Sequence, residues 1–182
     1  MGAAGVASLV PALSCLTALG CVQLDENGIG NAGAASLGPA LRHLCRLSFL
    51  SLSKNEISAA GAAALAPALS LLSQLSSLTL DGNPVGDEGV AHLVPALARL
   101  PCLRAVYFRQ SDGLSDRGMS VLLKGLPSSV SVSLGWVDRR RLEELQRSNC
   151  RKWLSEWAEP CAFVLCYCLL VGVVVHRTLR AA

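Results

Sequence analysis

The residues that could carry covalent or acid–base chemistry are few in this chain, and their spacing does not bring them together. The three histidines stand at 43, 92 and 176, with no shared motif. Asp87 and Glu88 form a carboxylate pair, but they open a helical stretch, where negative charge meets the positive end of the helix dipole favourably. Serines are abundant, yet none sits in a G-x-S-x-G elbow. The eight cysteines lie at 15, 21, 45, 102, 150, 161, 166 and 168, and none forms a C-x-x-C pair. Cys166 and Cys168, the closest two, lack the further Cys or His of a zinc site. They read as reduced thiols of a cytosolic protein. The pattern predicts no enzyme, no metal site and no cofactor.

What remains for function is a surface that binds another protein, and a repeat positions it. Leu75, Leu78, Leu80, Asn83 and Gly89 recur 28 residues earlier as Leu47, Leu50, Leu52, Asn55 and Gly61, and again as Leu19, Val22, Leu24, Asn27 and Gly33. Pro-Ala-Leu recurs in the same frame at 11–13, 39–41, 67–69 and 95–97. A fixed period of this size marks a solenoid. A fourth block at Leu103, Val106 and Phe108 carries Ser111 in place of asparagine, and its glycine, Gly118, arrives one residue late. Val130, Val132 and Leu134 read as a closing strand, and residues 3–15 as a helix preceding the first unit.

Each unit divides into a strand and a helix. The last two leucines of L-x-x-L-x-L fall on one side of an extended segment, because side chains alternate with period two. The asparagines mark turns, where an amide can satisfy backbone groups. Apolar residues at 34, 37, 41 and 44 predict a helix over Gly33–Leu44. Gly33, Gly61 and Gly89 predict close approach of helix and strand, and the recurrent prolines predict a kink or restart.

The motif L-x-x-L-x-L-x-x-N-x-I-x-x-x-G-x-x-x-L-x-x-A-L, best kept in Leu47–Leu69, resembles the ribonuclease-inhibitor-like class of leucine-rich repeats. That class also forms the repeat arrays of cytosolic nucleotide-binding immune receptors. The resemblance covers roughly residues 3–134. It implies an α/β fold: a short curved solenoid with parallel strands inside and helices outside. The chain has no G-x-x-x-x-G-K-[ST] loop, so receptor-type nucleotide switching does not carry over.

In this register the strands present Cys21, Gln23 and Asp25, then Phe49, Ser51 and Ser53, then Ser77, Thr79 and Asp81, then Ala105, Tyr107 and Arg109 on the concave face. Gln23, Asp25, Phe49, Ser51, Thr79, Asp81, Tyr107 and Arg109 are the candidate partner-binding residues. Phe49, Tyr107 and Arg109 are the anchors, being of the types enriched in interface hot spots. Glu26, Lys54, Glu56 and Asp112 offer a charged margin. Residues 1–137 balance eight Lys/Arg against eight Asp/Glu, so the net charge of +3 resides beyond them. A neutral body argues against a nucleic-acid surface, and nothing points to a small-molecule substrate.

Residues 138–159, after Asp138 as a candidate N-cap, place Leu142, Leu145, Asn149, Trp153 and Trp157 at helical steps amid charge, as in an amphipathic helix or cap. Residues 161–175 carry no charge at all. As a helix they would span about 22 Å, against a bilayer core of about 30 Å. Together with Pro160 and His176 they are expected to form a transmembrane anchor over 160–176. Trp153 and Trp157 stand on one side of it as interface residues, and Arg177 and Arg180 on the other, in the basic tail 177–182. The expected placement is single-pass, in the mitochondrial outer membrane or the endoplasmic reticulum, with the repeats facing the cytosol. The alternative is a soluble cytoplasmic inhibitor, or a regulatory fragment of a larger repeat receptor, with the C-terminal segment packed as a cap.

Overall fold

The structure is a computed structural model and describes residues 1–134. Contacts divide the chain into Met1–Trp136 and Val137–Ala182. The expected amphipathic helix (138–159), anchor (160–176) and tail (177–182) therefore lie outside the described residues. Among those described, no helix is long and apolar enough to cross a membrane.

Helix and strand alternate throughout: α1 (Gly2–Cys15), β1 (Cys21–Gln23), α2 (Gly30–Leu41), β2 (Phe49–Ser51), α3 (Ala59–Leu69), β3 (Ser77–Thr79), α4 (Gly86–Leu97), β4 (Ala105–Tyr107), α5 (Asp116–Gly125) and β5 (Ser131–Ser133). The strands pair in parallel in chain order, β1-β2-β3-β4-β5. Register follows the repeat: Val22 pairs with Leu50, Leu50 with Leu78, Leu78 with Val106 and Val106 with Val132. This is a leucine-rich-repeat-like solenoid in which each helix packs on the next.

The core is a set of columns that run across the units. Leu50, Leu78 and Val106 form one, fully buried, and Leu52, Leu80 and Phe108 another. From the helices come Leu37, Leu65, Leu93 and Leu122, with Leu41, Leu69 and Leu97 beside them. Each such leucine contributes roughly 1.5–3 kcal/mol on leaving water, which is why the apolar positions are held while those between them change.

The turn after each strand is held by an amide ladder. Asn55 Oδ1 accepts the N–H groups of Asn27 (2.9 Å) and Ile29 (3.4 Å), while its Nδ2 donates to Leu24 O and Ser53 O. Asn83 repeats this one unit on, accepting from Asn55 N (2.9 Å) and Ile57 N (3.0 Å) and donating to Leu52 O. Both asparagines are fully buried. At the next position the ladder stops: Ser111 Oγ is buried with no hydrogen-bond partner among the described residues.

Three expectations need correction. Helix α2 runs from Gly30 to Leu41, not from Gly33 to Leu44. His43 N and Leu44 N bond three residues back, to Ala40 O and Leu41 O, and this tightens the chain out of the helix. The prolines neither end nor restart the helices: Pro39, Pro67 and Pro95 lie inside α2, α3 and α4, in the last turn, and face solvent. There each proline forfeits one backbone bond, to the carbonyl four residues earlier. The repeat glycines face a helix, not a strand. A Cβ on Gly89 would stand 3.0 Å from Ala59 Cα of α3, and one on Gly33 would stand 3.3 Å from Ala3 Cα of α1. They set the spacing of successive helices.

Candidate interaction face

The outward positions of the strands form three columns. Cys21, Phe49, Ser77, Ala105 and Ser131 are aligned by pairing, as are Gln23, Ser51, Thr79, Tyr107 and Ser133. Asp25, Ser53, Asp81 and Arg109 follow, two residues further along each chain. Gln23, Asp25 and Arg109 are exposed, and Phe49, Thr79, Asp81 and Tyr107 are half-buried. Ser51, at 4% exposure, is buried.

The eight candidate residues separate into two groups joined by Thr79. At the β1–β2 end, Asp25 is occupied by the fold itself. Its Oδ1 accepts Ser51 Oγ at 2.5 Å and Ser53 N at 2.7 Å, so the carboxylate closes the turn of the neighbouring unit. Ser51 is spent on the same bond. Gln23 and Phe49 remain as the outward groups at this end.

At the β3–β4 end the side chains assemble into a cluster. Asp81 Oδ1 accepts Arg109 N at 2.6 Å, and its Oδ2 accepts Arg109 Nε at 3.0 Å. Arg109 Cζ lies 5.3 Å from the centre of the Tyr107 ring, a cation–π distance. The guanidinium is thus held from two sides, yet its side chain stays 52% exposed against 20% for Asp81. With Nε engaged, the terminal nitrogens remain available for a carboxylate or carbonyl of a partner. Such pre-organisation reduces the entropy that binding must remove.

Of the charged margin, Lys54 Nζ pairs with Glu26 Oε1 at 2.6 Å, across adjacent turns. Glu26 holds the ammonium above the usual lysine range. Sequence reasoning missed a second set of inter-unit bonds on the helix starts. Asn31 Oδ1 accepts Ser58 N (2.9 Å) and Gly61 N (3.0 Å), and its Nδ2 donates to Ser58 Oγ (2.8 Å). Asp87 of α4 does the same for α5, accepting Ser115 Oγ and, at 2.7 Å, Ser115 N. Those bonds, the hydroxyl first, hold the Asp87 carboxyl below the usual carboxylate range. Asp87 serves its neighbour's helix as well as its own. The signal was present as a polar residue at 31 and 87, two repeats apart. Among the described residues, no group of His, Cys, Asp and Glu could hold a metal ion.

Comparison with known proteins agrees with this geometry. A leucine-rich-repeat family profile matches residues 43–66, the unit in which the motif is best kept. Comparison with curated proteins finds no match. Among solved structures, the tropomodulin C-terminal domain of Caenorhabditis elegans is similar with a TM-score of 0.61 at 19% identity, covering 85% of this chain and 99% of that one. Leiomodin-1 actin-binding site 2 is similar with a TM-score of 0.60 at 18% identity, covering 84% and 94%. The fold is leucine-rich-repeat-like, and the repeat motif is matched over residues 43–66.

Proposed function

We propose that this chain is a non-enzymatic protein-interaction scaffold whose partner docks on the strand face, with Tyr107 and Arg109 as its centre. The observation that carries the proposal is the Asp81–Arg109–Tyr107 cluster. It is the place on the strand face where an aromatic ring and a guanidinium are fixed, half-exposed and adjacent. Phe49 and Thr79 extend the contact toward the first units. That leiomodin-1 uses a domain of this fold as an actin-binding site supports a protein as the ligand, and actin is the first partner to try. In this reading the apolar segment 160–176 tethers the scaffold to a membrane, with the repeats facing the cytosol. A role in innate-immune or organelle-surface signalling rests on the repeat resemblance.

A photo-crosslinking residue at Thr79 in the full chain should capture a partner protein. The adduct should disappear when Tyr107 and Arg109 are both replaced by alanine. Capture that survives the double replacement moves the site off this face. For the tether, the full chain should resist carbonate extraction while a chain ending at Glu159 is washed off; equal release refutes it.

A further inference from the structure

The charges of the solenoid are sorted between its two margins. In a parallel sheet the strand starts line up along one margin and the strand ends along the other. All eight carboxylates of residues 1–134 (25, 26, 56, 81, 87, 88, 112 and 116) fall on the second margin, in strand-to-helix turns and first helical turns. The first margin comprises the helix-to-strand turns and the last turn of α5, and it holds no carboxylate. It carries Arg42, Arg46, Arg99, Arg104 and Lys124, all exposed, with His43 among them. The two ion pairs among the described residues, Lys54–Glu26 and Arg109–Asp81, both lie on the opposite margin. No cation of the first margin is paired among the described residues.

The same margin displays aliphatic side chains. Leu16 and Leu71, 50% and 56% exposed, stand in its first and third turns; Leu71 shares the column of His43 and Arg99, while Leu16 holds the place that Leu44, Leu72 and Leu100 fill in the core and is bared at the first unit. Its turns are tied side by side by backbone bonds: Ser48 N to Gly20 O, Ser76 N to Ser48 O, Arg104 N to Ser76 O and Ser131 N to Arg104 O. Basic and apolar groups from successive units are therefore held in one row on a rigid spine. Helix dipoles explain a cation such as Arg42 or Lys124 at a helix end. They do not explain Arg46 and Arg104, which precede strands, or the bare Leu71.

We propose that this margin docks onto an anionic lipid bilayer. Arginines draw the row to acidic headgroups, and Leu16 and Leu71 enter the boundary of the acyl region. A nucleic acid would leave the leucines unmatched, because its stacking surfaces call for aromatic side chains. An acidic protein would require a complementary apolar pocket for each leucine. A bilayer accepts both kinds of group without any such fit. The inference stands on residues 16–131 and not on the C-terminal segment.

The test uses the full chain with vesicles of phosphatidylcholine alone or with about a third phosphatidylserine, and reads hydrogen exchange peptide by peptide. The turns 42–48 and 98–104 should exchange more slowly on the anionic vesicles, and the difference should vanish in 0.5 M salt, where charges are screened beyond about 4 Å. Reversal in R46E/R104E should weaken the lipid-dependent protection about tenfold or more, at roughly one contact's worth per arginine. L16S/L71S should weaken it without altering the salt dependence. Equal protection on both vesicles, or protection indifferent to the reversal, overturns the proposal. So does loss of binding to an acidic protein in R46E/R104E with the vesicle effect intact, which would assign the row to a protein partner. Carbonate extraction reads the tail and exchange reads the row, so failure of the tether leaves this result interpretable.

Discussion

Asn83 offers its side-chain oxygen to the backbone N–H of Asn55 at 2.9 Å, and Asn55 offers its own to Asn27 at the same distance. Each amide thus holds the turn of the unit before it, and its Nδ2 reaches back to a leucine carbonyl of that unit. Replacing Asn55 by alanine strands a part-buried donor at Asn27, a buried donor at Ile29 and a buried acceptor at Leu24. Each unsatisfied group costs about 1–3 kcal/mol. N55A should lose at least about 3 kcal/mol in denaturant unfolding monitored by circular dichroism. A loss below about 1 kcal/mol would mean that water replaces the amide.

Ser111 shows the ladder's end from the other side. Its buried hydroxyl has no partner among the described residues, so removing it removes a desolvation cost without breaking a bond. Ser111→Ala should leave stability unchanged or raise it by up to about 1 kcal/mol. Measurable destabilisation would show that the hydroxyl is hydrogen-bonded in solution.

The turn role of the asparagines was legible in the sequence because it is local, whereas the ladder that ties each amide to the turn of the unit before it was not. An asparagine four residues past each strand serves a turn, and the repeat tells where. The strand register and the buried leucine columns were legible for the same reason, since period two and period 28 together leave one arrangement. What escaped was anything that depends on distance across units. The glycines announced a close approach but not its partner, and only the packing shows that Gly89 faces Ala59. Asp25 looked like a binding carboxylate, but its bonds to Ser51 and Ser53 spend it on the fold. Conversely, residue type alone singles out Tyr107 and Arg109, while their contact and the Asp81 bond that fixes them arise from packing across units.

Asp87 joins helix starts two elements apart in the chain, and the bond is titratable. Because Ser115 lowers its folded pKa below the ordinary 3.8, its contribution is fully present above that value and is lost as pH falls through the lower folded value. Asp87→Ala should cost about 1 kcal/mol near pH 7, the usual worth of a helix cap. The gap between wild type and variant should close as the pH is taken below 3.8. A gap that holds constant down to pH 2 would assign the effect to packing.

Glu56 offers a stabilising change. Its φ of +59° lies in the left-handed region, its side chain is exposed, and it makes none of the hydrogen bonds described. The corresponding residue one unit earlier is Gly28, with φ of +60°. Left-handed backbone costs an L-residue about 1–2 kcal/mol, part of which glycine returns through its freer unfolded chain. Glu56→Gly should therefore raise stability by about 0.5–1 kcal/mol. An unchanged midpoint in urea would show that the unfolded-state entropy of glycine offsets the relief in full.

The sharpest test of helix spacing sets two identical substitutions against each other. Gly38 and Gly89 are both buried in helices. At Gly38 a new Cβ would meet Ala64 O at 3.6 Å and Ala68 Cβ at 4.0 Å, which is ordinary contact. The equivalent positions in other units already hold Val10, Ala66 and Val94, each just before a proline. Gly38→Ala should therefore gain up to about 1 kcal/mol from helix propensity. At Gly89 the Cβ would meet Val85 Cγ1 at 2.6 Å and the Ala59 backbone at 3.0 Å. Val85 can turn away, but the α3 backbone cannot move without disturbing its own strand. Overpacking of this kind costs about 1–3 kcal/mol and outweighs the propensity gain. Gly89→Ala should lower the thermal midpoint while Gly38→Ala raises it. If both raise it, the helices are not in contact through their glycines, and the spacing of the solenoid is set by the strands alone.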